Sequence, residues 1–388
     1  MKRTRNLCML LFFVLTLPLS AGIRNGADRL EKLLPLLEGK RVGLIVNHTS
    51  LLQPSGRHLA DTLLACGVQV TAIFAPEHGF RGKADAGEIV SDGKDERTGL
   101  PVISLYGKNK KPTPEQLINT DVLIFDIQDV GARFYTYIST MYYALQAAAA
   151  QNKEMIVLDR PNPNDFVDGP VLDESLKSFV GALPVPVLHG LTVGELARMI
   201  VGEGWAGNNP VKLEVIPVEG WKHGQPYRLP VSPSPNLPND QAVRLYPSLC
   251  FFEATDVSVG RGTPFPFQVI GYPDPRYGSF TSTPVSRPGF DKNPLQKDKK
   301  CYGSDLRKAT PPEGLSLHYF MDFYRISGKG NEFISRPEFF DKLTGDKQLR
   351  EDLAGNKTEE QIKARWKEGL DEYRRTRAKY LLYPDQKP

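Results

Sequence analysis

Four short runs of this chain set acids beside arginines, amides and tyrosines. The first is Pro76-Glu77-His78-Gly79-Phe80-Arg81-Gly82, which follows directly on Val68–Phe74, an apolar β-branched stretch that reads as a buried strand. A carboxylate, an imidazole and a guanidinium thus stand on a glycine-punctuated loop at a strand's carboxyl end. Open α/β sheets hold their ligands there, on groups that are rigid yet accessible. The set suits acid–base chemistry, with Glu77 as the acid and His78 orienting either Glu77 or a substrate hydroxyl. The plainer alternative pairs Glu77 with Arg81 and makes the loop mere scaffolding.

The second run, Asp126–Tyr137, offers Gln128, Asp129, Arg133 and Tyr135. Asp129 is a candidate second carboxylate or, as Asp after a strand often is, a cap for the next turn. Arg133 is a candidate anion clamp, and Tyr135 or Tyr137 a surface for stacking or hydroxyl binding. The third, Asp159-Arg160-Pro161-Asn162-Pro163, adds Arg160 and Asn162, with an internal salt bridge as the alternative role. Asn47 closes another apolar run, Val42–Val46. The fourth, Phe251–Thr263, brings Glu253 and Arg261 next to the Pro- and Ser-rich stretch that contains Ser232–Asn236.

The elements that must position these groups alternate. Val42–Val46, Val68–Phe74, Pro101–Leu105, Val122–Asp126, Met155–Asp159 and Leu213–Val218 read as strands. Helices are expected over His58–Cys66, Thr113–Asn119 and Ser139–Gln151, and from the capping box at Thr192-Val193-Gly194-Glu195 through Ile200. Short apolar strands joined by helices imply right-handed crossovers and a mostly parallel, Rossmann-like sheet. From about residue 250 the alternation is lost, and a polar helix from Glu359 to about Leu382 carries Ile362, Trp366, Leu370 and Tyr373 at helical spacing. The expected organisation is a Rossmann-like domain over 23–248, a smaller α+β domain over 249–388, and a cleft between them.

Residues 1–22 read differently. Lys2-Arg3-Thr4-Arg5 precedes the apolar run Leu7–Leu19, and the small residues Ser20-Ala21-Gly22 follow, which is the pattern of a cleavable export signal. The run is short for a membrane span, so no stable membrane insertion is expected after cleavage. The protein is expected to be exported, to a periplasm or beyond the cell. Cys66, Cys250 and Cys301 then remain. Cys66 continues the helical face of Leu59 and Leu63 and is expected in the core, and a Cys250–Cys301 pair is open in an oxidising compartment.

Several function classes find no support. The formal charge is only +4, and no basic cluster interleaves with aromatics, so nucleic acid is not an expected partner. The first strand is not followed by Gly-x-Gly-x-x-Gly, and Walker-A and Gly-x-Ser-x-Gly motifs are absent too. His48, His58, His78, His189, His223 and His318 lack metal-ligand spacing, so neither metal nor cofactor is expected. Acids, arginines, amides and tyrosines at strand ends make up the composition of a carbohydrate site.

The order of Pro76–Gly82, Asp126–Tyr137, Asp159–Pro163, Ser232–Asn236 and Glu253–Thr263 resembles the exo-β-N-acetylmuramidases of the NamZ type. The likeness extends to Phe340-Asp341-Lys342-Leu343 and Tyr380-Leu381-Leu382-Tyr383, nearly the whole chain after the leader. The resemblance implies release of terminal N-acetylmuramic acid from the non-reducing ends of peptidoglycan fragments, such as muropeptides and muramyl–glucosaminyl saccharides, with Glu77 matching the proposed catalytic glutamate. The chain departs from the family pattern at Glu253-Ala254-Thr255-Asp256, where Glu-Gly-Thr-Asn is usual. The lactyl carboxylate of muramic acid would account for Arg133, Arg160 or Arg261. The second catalytic role stays open among Asp129, Glu253 and the substrate's own acetamido group. A non-catalytic periplasmic binding protein for cell-wall sugars is the alternative, and a metal-dependent phosphate-ester hydrolase a more distant one.

Overall fold

The computed structural model describes residues 22–81 and 92–385. All of the leader except Gly22, and Gly82 of the first run, lie outside the described residues. After a one-turn helix α1 (Leu30–Leu33), the chain runs through β1 (Arg41–Val46), α2 (Leu59–Ala65), β2 (Gln69–Ala75), β3 (Gly93–Lys94), β4 (Pro101–Ser104), β5 (Val122–Asp126), α3 (Tyr137–Ala150) and β6 (Glu154–Leu158). It continues as β7 (Val167–Val171), β8 (Pro186–His189), α4 (Val193–Gly202), β9 (Leu213–Ile216) and α5 (Asp240–Leu249). Then come β10 (Val269–Tyr272), β11 (Phe280–Ser282), β12 (Cys301–Asp305), α6 (His318–Ser327), α7 (Pro337–Thr344), α8 (Leu349–Ala354) and α9 (Glu359–Arg377).

Seven strands form the central sheet in the order β3-β4-β2-β1-β5-β6-β9. All neighbours are parallel except β3, which runs antiparallel to β4. β1 leads to β2 on one side, and the chain later returns to β5 on the other, so the strand order reverses between β1 and β5. A second sheet, β10-β12-β11, and the helices α6 to α9 make the smaller part. The fold is thus a mostly parallel α/β sheet followed by a smaller α+β region. One apolar core runs through both, joining Phe125 and Met141 of the sheet side to Phe251, Phe320, Phe340 and Trp366.

Some elements depart from their sequence signals. The Thr113–Asn119 segment closes only a single 3-10 turn, Glu115–Leu117, because so short a piece has little to offset helix nucleation. Val167-Asp168-Gly169-Pro170-Val171 pairs with Pro186–His189 as an antiparallel hairpin, a strand disguised by its Gly and Pro. α9 ends at Arg377, before the expected Leu382. Cys66 is exposed, not in the core: it caps α2 just past the last buried turn. Cys250 and Cys301 are buried free thiols.

The chain's last described residues are tied to the sheet by a buried ionic knot. Glu195, third residue of the Thr192 capping box, accepts from Thr192 N at 2.9 Å and from Leu382 N at 2.8 Å. His223 lies between Glu195 and Asp165, 3.0 Å and 2.9 Å away. Burial works against its charge, but the two carboxylates outweigh this and raise its pKa to about 9. With the folded value above the unfolded 6.5, the stabilising contribution is complete below about pH 6.5 and is lost as pH rises through 9. Unfolding free energy measured in urea should therefore decline across that window by at most about 3 kcal/mol. His223→Asn should flatten the decline; a variant whose profile runs parallel to the wild type would contradict this.

Candidate active site

The loop after β2 is built around a turn in which Gly79 N donates to Pro76 O at 3.0 Å. His78 takes the third position with φ 68°, a conformation normally left to Gly or Asn. Strain of this kind persists only where the surroundings enforce it. Here it presents Glu77, half-buried, and His78, nearly buried, to a cavity of about 480 Å³.

Two hydroxyls stand at the Glu77 carboxyl. Thr136 Oγ1, at the amino end of α3, donates to Glu77 Oε2 at 2.8 Å. The Tyr106 hydroxyl, from the loop after β4, lines the same cavity beside this carboxyl, close enough for the Glu77 charge to act on it. Burial first, then the Glu77 charge, push that hydroxyl well above its ordinary pKa, so Tyr106 is a standing proton donor. Its loop is fixed to the neighbouring strand end, since Leu105 N donates to Ala75 O at 2.8 Å.

The floor and far wall are aromatic and charged. Tyr135 donates its hydroxyl to Pro233 O at 2.8 Å, and Phe134, Tyr135, Tyr246 and Phe267 meet edge to face. Across the cavity Arg261 Nε donates to Glu253 Oε1 at 2.5 Å, and Arg336 Nη2 donates to Glu253 O at 2.9 Å. Ser234 and Asn236 line one side, with Phe179 and Phe339 among the remaining apolar lining.

Residues 42–241 match the N-terminal domain of exo-beta-N-acetylmuramidase NamZ, and residues 244–383 match its C-terminal domain. The chain is also 38% identical over 371 residues to the peptidoglycan beta-N-acetylmuramidase NamZ of Bacillus subtilis, covering 89% of this chain and 88% of that protein. This chain belongs to the NamZ family. Membership makes it a glycosidase. Two solved DUF1343 family proteins of Bacteroides fragilis share the fold. One has a TM-score of 0.86 at 42% identity, covering 94% of this chain and all of that one. The other has 0.78 at 32%, covering 93% and 99%.

Of the residues singled out in the sequence, Glu77, His78, Tyr135, Glu253 and Arg261 line the cavity of this NamZ-family chain. The others do not. Arg81 pairs with Asp95, Nη2 to Oδ2 at 2.9 Å, and lies over Phe80, so the Glu77–Arg81 scaffold does not form. Arg133 is no anion clamp: it is fully buried and donates to the carbonyls of Pro170, Val185, Leu343 and Thr344. Arg160 makes a buried two-point pair with Asp126, at 2.6 and 3.0 Å. Asp129 is withdrawn as second carboxylate: its Oδ2 accepts from Gly131 N at 2.7 Å and lies 3.5 Å from His189. Its role is the turn cap.

Asn47, Gln128 and Asn162 also face inward. Asn47 Oδ1 accepts from Thr49 N and Oγ1, Gln128 Nε2 donates to Asp129 O and Pro161 O, and Asn162 Nδ2 donates to Leu191 O. Loops at the β1–β5 reversal crowd together, so the buried side chains of Asn47, Gln128 and Asn162 bond to neighbouring loop groups and away from the cavity.

Sequence reasoning missed Tyr106, Thr136 and Arg336. Tyr106 directly follows a recognised strand, so the logic that found Glu77 applies to it. Thr136 sits between two quoted tyrosines. Arg336 gave no signal.

Arg160→Met should cost about 3–5 kcal/mol, since it strands a buried Asp126 charge. Urea unfolding reads this directly. A loss below about 1 kcal/mol would show that the pair is not a structural strut.

Proposed function

We propose that this enzyme releases terminal N-acetylmuramic acid from the non-reducing end of peptidoglycan fragments, with Glu77 as general acid. The observation that carries the reading is the Glu77 carboxyl itself: half-buried, held by Thr136, beside the Tyr106 hydroxyl, and turned into the cavity. A glycosidic bond breaks when its leaving oxygen gains a proton as the ring develops oxocarbenium character. Glu77 supplies the proton to that oxygen, and the two hydroxyls beside it set the angle at which it does so. Tyr106 and Thr136 act through Glu77 and are positioning residues. The apolar floor of Phe134, Tyr246 and Phe267 takes the sugar's carbon face and keeps bulk water from the reacting centre.

The family match and the Bacillus subtilis relative support the peptidoglycan substrate. Muropeptides and muramyl–glucosaminyl saccharides are the fragments we assign to it. We further propose export, on the charged, apolar and small-residue succession of residues 1–22.

The leaving group provides the test. On a muramyl–glucosaminyl disaccharide, whose leaving oxygen needs a proton, Glu77→Gln should lower kcat at least about 1000-fold. On a 4-nitrophenyl muramide, whose leaving group departs unprotonated, the loss should be at least tenfold smaller. Tyr106→Phe should show the same asymmetry at about tenfold on the disaccharide. Equal losses on both substrates would remove Glu77 from the acid role.

A further inference from the structure

Resting on that reading, we propose that Arg261 is the specificity residue of the cavity: its guanidinium fork binds the lactyl carboxylate that distinguishes muramic acid from glucosamine. Among the described residues, two guanidinium side chains line the cavity, Arg261 and Arg336. Arg336 is engaged on protein carbonyls, with Nε and Nη2 on Glu253 O and Nη2 also on Thr255 O, while Nη1 lies 3.9 Å from Asp256. Arg261 is engaged only through Nε, on Glu253 Oε1. Among the described residues no hydrogen bond is made by its two terminal nitrogens, Nη1 and Nη2.

That edge of the fork is also held in place. The Arg261 guanidinium carbon lies 5.1 Å from the centre of the Phe267 ring, which supports its plane. The residue sits between Gly260 and Gly262, at φ 81° and 76°. A β-carbon at Gly260 would stand 2.6 Å from Phe265 O, and one at Gly262 2.5 Å from Val285 O, so the turn accepts no other residue without moving. Thr263 N closes it on Gly260 O at 3.0 Å.

The charged groups lining the cavity are Arg261 and Arg336 on one side of the balance and Glu77, Glu253 and Asp291 on the other, so an anionic guest is drawn by the open guanidinium edge and not by an excess of positive charge. Burial draws the Arg261 pKa down, but the Glu253 charge more than reverses this, so the guanidinium stays protonated without a ligand. Asp291 acts on it in the same sense, more weakly. When a lactyl carboxylate arrives, Arg336 is the second positive charge beside Glu253, and with Glu77 holding its proton as the acid, two cations stand against Glu253 and Asp291. A planar two-oxygen anion matches a two-nitrogen edge, which a lysine ammonium cannot imitate. Glucosamine carries only a hydroxyl at that carbon and leaves the fork empty.

The experiment compares 4-nitrophenyl N-acetylmuramide with its lactyl methyl ester, on the wild type and on Arg261→Lys and Arg261→Met. The wild type should favour the acid by about 10- to 100-fold in kcat/KM, chiefly through KM. Both variants should lose most of that preference, Arg261→Met more than Arg261→Lys, with the ester falling far less than the acid. A wild type indifferent to esterification overturns the proposal. So do variants that keep the acid preference or that lose acid and ester alike. Calorimetric binding of free N-acetylmuramic acid and its methyl ester to the wild type repeats the test without turnover. Preferred binding of the free acid, together with no 4-nitrophenol release from the muramide, would sink the hydrolase reading and leave Arg261 in place; equal binding would sink the Arg261 assignment alone.

Discussion

The structure hangs on one guanidinium that never sees solvent. Arg133 reaches from the loop between β5 and α3 and donates to two carbonyls of the β7–β8 region and two at the end of α7. The last two, Leu343 and Thr344, lie where the helix leaves its carbonyls unsatisfied and its dipole is negative, so a cation there meets both needs at once. Burial pulls the Arg133 pKa down to about 9, which still leaves it charged at neutral pH. Gly345, at φ 70°, makes the approach possible, because a β-carbon there would stand 2.3 Å from Arg133 Nη2. A fully buried charge bonded only to carbonyls is costly to leave half-made, so the sheet-edge loop and the C-terminal helices are fixed to each other.

That fixed relation is what makes a cavity. Tyr135 and Thr136, two and three residues past Arg133, supply the floor and the first contact to Glu77, while Phe339 and Leu343 of α7 line the cavity from the C-terminal side. The sheet side carries Glu77 and the smaller region carries the charge pair Glu253–Arg261, and the cavity is lined from both. The strained His78 turn belongs to the same design, since a relaxed turn would aim Glu77 elsewhere.

The sequence made the parallel sheet legible because its strands are short, apolar and buried on both faces, and because Thr192 to Glu195 spells a cap. The place of Glu77 on the cavity wall was legible for the same reason: a strand end followed by glycine turns a side chain outward from the sheet edge. What could not be read was which arginine lines the cavity. Arg133, Arg160 and Arg261 look alike in their runs, and what separates them are partners remote in the chain, such as Leu343, 210 residues from Arg133. Asp129 was ambiguous between capping and catalysis, and the local bond to Gly131 N decided it. The β10–β12 sheet was hidden by its Gly- and Pro-rich composition, in which pairing across long loops replaces periodicity.

The most direct measurement is a crystal structure of the Glu77→Gln protein soaked with a muramyl–glucosaminyl disaccharide. The account places the muramyl ring inside the cavity, its glycosidic oxygen within hydrogen-bond reach, about 3 Å, of the residue 77 amide. A disaccharide bound elsewhere, or seated there with that oxygen beyond about 5 Å and no water between, would contradict it.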